Sequence, residues 1–311
     1  MNLIRSFTSA ASAALLLLLT APTSRAQTLY VGNDGTNTIG SFSLATGFAT
    51  PGFAPITASV SAPFGLAVSG NALYATDGGF NTVRAYDATT GVALAGFSPI
   101  VINSPVGVAV SGGRVYVASS GGNLIRAYDA TTGAIIAGYS SPTGLLEPSA
   151  LTISGGTLYV SNDGDSKVRS FNLASSVATV GFTPISGVTN SRGLTLVGTA
   201  LYVTTFGGTL RAYDAATGGV LPGFTPVTTG LGSAWGVEAA GGNLYVAGYS
   251  GNTIQSYDTA SGALVASYTA PSGLSNPAGL AIFTPVPEPG SALLLLGGAA
   301  LLGLRRRRQA S

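Results

Sequence analysis

The chain has 311 residues with 45 Gly, 16 Pro, no Cys, no His and only 24 charged side chains. Zinc or haem sites built on Cys and His are excluded, as is any chemistry that needs an imidazole base or a thiolate nucleophile. The formal charge of +2 is misleading, because six of the thirteen basic residues (Arg5, Arg25, Arg305, Arg306, Arg307, Arg308) lie near the ends, while residues 28–285 hold seven basic and ten acidic residues. That body carries −3 and offers no basic face to nucleic acid.

Residues 1–26 read as a secretory signal peptide: Arg5 gives the positive start, residues 10–19 the apolar stretch, and Ser24-Arg25-Ala26 a small-x-small site for signal peptidase. The expected mature start is Gln27. With no cysteine there is no disulfide framework, which a body of this size tolerates because burial rises with chain length.

A repeat fills residues 27–285. A Leu-Tyr-Val-type run recurs at Tyr30, Tyr74, Tyr116, Tyr159, Tyr202 and Tyr245, spaced by 44, 42, 43, 43 and 43 residues. Each copy continues with an alternating run of the Val-Arg-Ala-Tyr-Asp kind, as at 83–87 and 125–129, in which Val83, Ala85 and Asp87 face opposite to Arg84 and Tyr86. A tight turn follows, Asp-Ala-Thr-Thr-Gly at 87–91 and 129–133, with Asp accepting backbone N–H groups and Gly supplying positive φ. Next comes an aromatic six residues past the turn Gly (Phe97, Tyr139, Phe224, Tyr268, with Phe53 and Phe182 in the looser copies), then a Pro-x-Gly-φ-Ala-Val run, as at 63–68, 105–110 and 277–282.

Four antiparallel strands per unit of about 43 residues, with no helical period, predict an all-β, six-bladed β-propeller. If the Pro-x-Gly run is innermost, the chain starts on the second strand of one blade and finishes on an innermost strand at 276–283. Pairing of these N- and C-terminal strands would close the ring and hide two sheet edges.

Beyond residue 285 the chain reads Pro287-Glu288-Pro289, an apolar stretch 290–304, then Arg305, Arg306, Arg307 and Arg308. At 1.5 Å per residue the stretch reaches about 22 Å, short of a ~30 Å hydrocarbon core, with its arginines held cytoplasmic by the positive-inside rule. This three-part tail, residues 286–311, resembles the PEP-CTERM sorting signal of Gram-negative bacteria. The resemblance implies transient anchoring in the inner membrane, recognition by an exosortase, and delivery to the cell surface or the exopolysaccharide matrix. The LYV, Arg-Ala-Tyr-Asp and Pro-x-Gly runs resemble NHL and YVTN-type propellers, and the Asp-x-x-Thr-Gly turn with its aromatic is similar to the blade-docking turn of quinoprotein propellers. These motifs are structural and imply no substrate.

Where the copies differ, function has room. Just before the strand Gly they carry Phe64, Val106, Ser149, Arg192, Trp235 and Ala278, a ring expected to line the channel mouth. Of these, Phe64, Ser149, Arg192 and Trp235, the chain's one Trp, are the candidate ligand-binding residues, since aromatic faces and a guanidinium suit sugar or carboxylate recognition. They could equally plug the axis as core. The loops after the LYV runs bring Asp34, Asp77, Asp163 and Asp165, hard oxygen ligands for Ca²⁺ or ordinary turn residues. Arg84, Arg126, Arg169 and Arg211 read as solvated or blade-pairing residues, and Glu147 and Glu238 as too isolated for acid/base work.

The expectation is a secreted, non-enzymatic binding or scaffold protein whose partner is a glycan, exopolysaccharide or surface protein. Two alternatives stand beside it: a metal-dependent hydrolase or lyase, and a matrix component without a pocket. Streptogramin-lyase-type propellers rely on a histidine that is absent here, and lactonase-type propellers use Glu, Asn and Asp around Ca²⁺, a set that Asp34, Asp77, Asp163 and Glu147 match only in part.

Overall fold

The computed structural model describes residues 27–284, which form one compact unit, Gln27–Thr284. The expected signal peptide and sorting tail, with its apolar stretch, lie outside the described residues. Among the described residues no helix is long and apolar enough to cross a membrane.

The chain opens with the hairpin β1 (Thr28–Asn33) and β2 (Thr38–Ser43). A second sheet follows from β3 (Leu66–Ser69), β4 (Ala72–Asp77), β5 (Thr82–Asp87) and the two-residue β6 (Ile100–Val101). The third holds β7 (Pro105–Ser111), β8 (Arg114–Ser119) and β9 (Leu124–Asp129). In the fourth are β10 (Pro148–Ser154), β11 (Thr157–Asn162), β12 (Lys167–Asn172) and the two-residue β13 (Ile185–Ser186), with a 3-10 turn at Asp163–Asp165. The fifth comprises β14 (Ser191–Val197), β15 (Ala200–Thr205) and β16 (Thr209–Asp214), and the sixth β17 (Ala234–Ala240), β18 (Asn243–Gly248) and β19 (Thr253–Asp258). The last strand, β20 (Pro277–Phe283), returns to the first sheet, antiparallel to β1 with Thr28 opposite Phe283 and Val31 opposite Leu280. The terminal pairing read from the repeat phase is therefore present. All pairings are antiparallel, and the architecture is all-β and propeller-like.

The Pro-x-Gly strands neighbour one another in the order β20, β3, β7, β10, β14, β17 and back to β20. Their glycines make this approach possible. A Cβ on Gly65 would collide with the Val106 carbonyl oxygen, one on Gly107 with that of Ser149, one on Gly193 with that of Trp235, and one on Gly236 with that of Ala278. From Gly279 the same contact runs to Phe64, at 3.0 Å, completing the cycle.

Between sheets the core repeats as six apolar clusters, each built on the LYV strands. The LYV tyrosine of every sheet packs against the aromatic beyond the turn: Tyr30 on Phe53, Tyr74 on Phe97, Tyr116 on Tyr139, Tyr159 on Phe182, Tyr202 on Phe224 and Tyr245 on Tyr268, with centroids 5.1–5.8 Å apart. Each such pair contributes about 0.5–1.5 kcal/mol beyond its buried area. Several tyrosines also donate to the turn of the following sheet: Tyr74 to the Ala130 carbonyl at 2.7 Å, Tyr159 to that of Ala215 at 2.9 Å and Tyr202 to that of Thr259 at 2.7 Å. The Asp-x-x-Thr-Gly turn is held from within, as where Asp129 Oδ1 accepts from the N–H groups of Thr131 and Thr132 and the Thr132 hydroxyl. Its Gly133, at φ +76°, lies under the Ser98 carbonyl of the preceding sheet. The turn therefore docks one sheet on the next.

Four strands per sheet is corrected by the structure. Only the second and fourth sheets have a fourth strand, of two residues, and the others have three. The outer run makes one bridge after the turn in every sheet, such as Tyr128 to Ile135 and Tyr257 to Leu264, then breaks away. Its sequence explains the break. A Gly with positive φ (Gly52, Gly96, Gly181, Gly223) precedes the aromatic in four copies, and Pro55, Pro99, Pro184 or Pro226 follows it, so the ladder loses a donor. In the third and sixth copies proline itself (Pro142, Pro271) holds the position where Ile56, Ile100, Ile185 and Val227 pair, and no fourth strand forms.

Candidate functional site

One backbone hydrogen bond, repeated six times, builds the mouth. Four residues past each LYV tyrosine, the N–H donates to a carbonyl just ahead of the innermost strand of the same sheet: Asp34 to Asn276, Gly78 to Ala62, Ser120 to Ser104, Asp163 to Glu147, Phe206 to Asn190 and Tyr249 to Ser233, at 2.8–3.2 Å. Asparagine side chains tie these loops to the next innermost strand, with Asn37 Oδ1 accepting from Ala62 N–H, Asn81 Oδ1 from Ser104 N–H and Asn252 Oδ1 from Asn276 N–H. These asparagines have φ of +51° to +56°, which Asn tolerates better than most residues. Each copy thus brings its variable loop residue beside its variable strand residue.

Phe64, Arg192 and Trp235 converge. Trp235 stacks on Phe64 (5.1 Å, 19°) and on Tyr249 (5.1 Å, 27°), and Phe206 meets it edge-on at 5.8 Å. The small Ala278 stands between Trp235 and Phe64 in the ring order, which leaves room for the stack. The Arg192 guanidinium lies 5.2 Å from the Trp235 centroid, within cation–π range. Trp235 is only 8% exposed, so the aromatic hub is core on its inner side, while Phe206 reaches solvent at 39%. Phe80, on the loop after β4, is 58% exposed.

Arg192 Nη1 is 3.0 Å from Asp163 Oδ2, joining the fifth sheet to the loop after β11. Burial pushes the Asp163 carboxyl above the usual carboxylate range, and Arg192 and the Ser149 hydroxyl draw it back only in part. Ser149 is buried, its hydroxyl 2.7 Å from the Ser191 carbonyl oxygen and 3.0 Å from Asp163 Oδ1, so it serves the contact between sheets and not the mouth surface. The Nε1–H of Trp235 and the Nε–H of Arg192 are buried donors without an acceptor. Each orphan of this kind costs about 1–3 kcal/mol.

The four aspartates do not gather round a common point. Asp34 accepts from the Tyr249 hydroxyl at 2.5 Å, and Asp77 from the Phe80 N–H at 2.9 Å. Asp163 pairs with Arg192, while Asp165 pairs with Arg169 and accepts from Asn162 Nδ2 at 2.6 Å. Among the described residues no group of three or more acidic side chains could hold a metal ion. Asp-x-Asp is turn chemistry here: Asp163 faces the neighbouring sheet, and Asp165 faces its own strand β12. Of the repeated arginines, Arg169 pairs within its own sheet, with Asp165, and not from one sheet to the next as expected; Lys167 is also 3.9 Å from Asp165.

Behind the hub runs an axial cavity of about 60 Å³, walled by the x-Gly-φ segments of all six innermost strands, with Phe64, Val106 and Arg192 among its lining residues. Glu238 also lines it. Burial raises this carboxyl to about 8, against a single opposing hydrogen bond from the Ala239 N–H.

Sequence reasoning passed over Phe206 and Tyr249 and set Glu238 aside as too isolated for acid/base work. The within-chain comparison that selected Arg192 and Trp235 would have found all three. Four residues past the tyrosine the copies read Asp34, Gly78, Ser120, Asp163, Phe206 and Tyr249, and two past the strand Gly they read Ala67, Ala109, Thr152, Thr195, Glu238 and Ala281, where Ala150 takes the Gly place in the third copy.

Hub, mouth and docked sheets define an all-β protein of propeller-like class. The fold is similar to a chain in the crystal structure of a nidogen/laminin complex, at 18% identity and a TM-score of 0.66 over 84% of this chain and all of that one. It is also similar to the computationally designed Ika8 protein, at 14% identity and a TM-score of 0.50 over 80% of this chain and 86% of that one. Residues 79–179 match the family described as outer membrane protein assembly factor BamB. No curated protein sequence matches the chain. At its C-terminus, over residues 285–309, the chain carries a PEP-CTERM protein-sorting motif. That motif implies exosortase processing and export through the inner membrane to the surface of a Gram-negative cell.

Proposed function

We propose that the six sheets are the blades of a closed six-bladed propeller, and that it serves at the cell surface or in the exopolysaccharide matrix as a non-enzymatic glycan-binding protein. The observation that carries this reading is the mouth. Phe206 and Phe80 offer apolar ring surface to solvent on loops rigidified by main-chain bonds, beside a stacked hub that keeps Phe206 in place. Sugars bind to such aromatic faces through their C–H surfaces, with polar groups at the rim fixing the hydroxyls. Ser104, Ser120, Ser250 and Asn103 supply a rim of that kind on adjacent loops. A body charge of −3 argues for a neutral or weakly charged glycan over a polyanion.

The absence of His and Cys from the chain, and the engagement of the mouth aspartates with Arg192, Tyr249 and backbone, support a binding role over hydrolysis or elimination. The test is retention on the producer's own exopolysaccharide and on a neutral glycan array. Wild type is retained, and Phe206→Ala with Phe80→Ala is released although it still unfolds in one cooperative transition, at a melting temperature lowered by the lost contacts of Phe206 with Trp235 and Tyr249. Passage of the wild-type protein through both without delay overturns the reading.

A further inference from the structure

The aromatic side chains are not spread evenly round the mouth, and their arrangement bears on which part of a glycan is held. Phe206 stands on the loop of the fifth sheet, Trp235 and Tyr249 belong to the sixth, and Phe64 and Phe80 to the second, while the first sheet, between the sixth and the second, contributes the small Ala278. At the corresponding strand and loop positions the third and fourth sheets place Val106, Ser120, Ser149 and Asp163. Along the apolar half one ring meets the next. Phe206 lies 5.8 Å from Trp235, and Trp235 lies 5.1 Å from Phe64. Phe64 in turn sits against the loop of its own sheet, where a Cβ on Gly78 would come within 2.7 Å of the ring, and two residues along that loop stands Phe80. In the neighbour order of the innermost strands, β3 of the second sheet and β14 of the fifth are three steps apart in either direction. The band of rings therefore runs from one side of the mouth to the other, with an exposed phenylalanine at each end.

A site for the end of a sugar chain needs a pit that takes a whole ring, and the axis offers none. Trp235 is nearly buried in the hub, and the space behind it is about 60 Å³. At about 10–15 Å³ per water that admits about four waters, well short of a sugar ring with its hydroxyls. What remains is a shallow apolar track, several rings long and open at both ends. Polar groups flank it. Asp34, on the loop of the first sheet, accepts from the Tyr249 hydroxyl through Oδ2, which leaves Oδ1, without a partner among the described residues, for a sugar hydroxyl. The Arg192–Asp163 pair borders Trp235 on its other side. Resting on the glycan reading above, we infer that the mouth holds an internal stretch of a linear, neutral polysaccharide, laid along the band from the fifth sheet to the second, and not a chain end or a single sugar.

The test is calorimetric titration of the mature chain with size-fractionated fragments of the producer's own exopolysaccharide, from single sugars to ten units, released by partial hydrolysis. The six-unit fragment binds at least about tenfold more tightly than the two-unit fragment, since each further ring contact multiplies affinity several-fold, and still longer fragments gain nothing per site. Phe80→Ala, at an exposed position that leaves the hub intact, weakens the six-unit fragment about fivefold and leaves the two-unit fragment within about twofold of wild type. On the intact polymer several protein molecules bind to each chain. A single sugar or two-unit fragment held as tightly as the six-unit one overturns the inference, as does a Phe80→Ala protein that binds the six-unit fragment like wild type, or a limit of one protein per chain end. Binding that ignores length removes this inference alone, whereas no binding at any length removes the glycan reading with it.

Discussion

Arg192 and Asp163 meet at 3.0 Å across the boundary between the fourth and fifth sheets, with the carboxylate nearly buried and the arginine side chain one-quarter exposed. Removing the cation alone strands a buried carboxylate. Arg192→Leu is expected to cost about 2 kcal/mol, below the ~3–5 kcal/mol of a fully buried pair because water reaches the guanidinium. Adding Asp163→Asn recovers part of that loss. A double-mutant cycle from denaturant unfolding, with Asp163→Asn alone as its remaining corner, checks it: single-variant costs that simply add in the double variant would mean that the pair contributes no coupling.

The contacts between innermost strands predict an asymmetry between equivalent positions. At Gly107 a methyl would press into the Ser149 carbonyl, so Gly107→Ala is expected to destabilise by about 1–3 kcal/mol. The third copy already carries Ala150 at this place, and there Ala150→Gly should cost only about 0.5–1 kcal/mol, from the freer unfolded chain. Chemical denaturation midpoints of the two variants decide it, and a harmless Gly107→Ala would refute the close approach.

Trp235, as the one tryptophan, reports on its own surroundings. Its buried, stacked indole should emit at short wavelength and shift to the red in a single transition on unfolding. Trp235→Ala removes a ring packed against Phe64, Tyr249 and Phe206 and is expected to cost about 3–5 kcal/mol. Phe64→Leu should red-shift the native emission without abolishing the transition. A native spectrum already like that of free indole in water would contradict the hub.

Glu238 predicts a pH dependence of definite sign. Its folded value is raised to about 8 from 4.5, so the folded chain holds the proton more tightly than the unfolded one. Stability is complete below about pH 4.5, declines as pH rises, and levels off above about pH 8. Glu238→Gln should flatten that limb and be the more stable protein at pH 9. Urea midpoints between pH 5 and pH 9 measure it, and a wild-type midpoint constant over that range would mean that the carboxyl is solvated.

Much of the fold was legible because six copies report on one another. The tyrosine spacing fixed the number of units, and the phase of the Pro-x-Gly runs placed the last strand on the first, as the Thr28–Phe283 pairing bears out. The outer strand was over-read because a bridge such as Phe171 to Ala178 satisfies a β pattern locally, whereas Gly181 and Pro184 stop it from extending. The convergence of Phe64, Arg192 and Trp235 followed from their shared place in the repeat. Their partners were missed for a geometric reason. Phe206 and Tyr249 share one loop position in neighbouring copies, and their contact with Trp235 depends on that loop folding back over the strand position before the Gly, a long-range approach that no spacing within one copy displays.

The pairing of Thr28 with Phe283 also has a mechanical side. Both ends of the domain leave from one rim of the same hairpin-like pair, so tension applied between them would peel the β1–β20 ladder open one rung at a time. Strands loaded in that way yield at low force, however slowly the domain unfolds on heating. A pull through either end alone, against a body held by its ligand, loads the docked sheets together, and the same molecule should then resist far more.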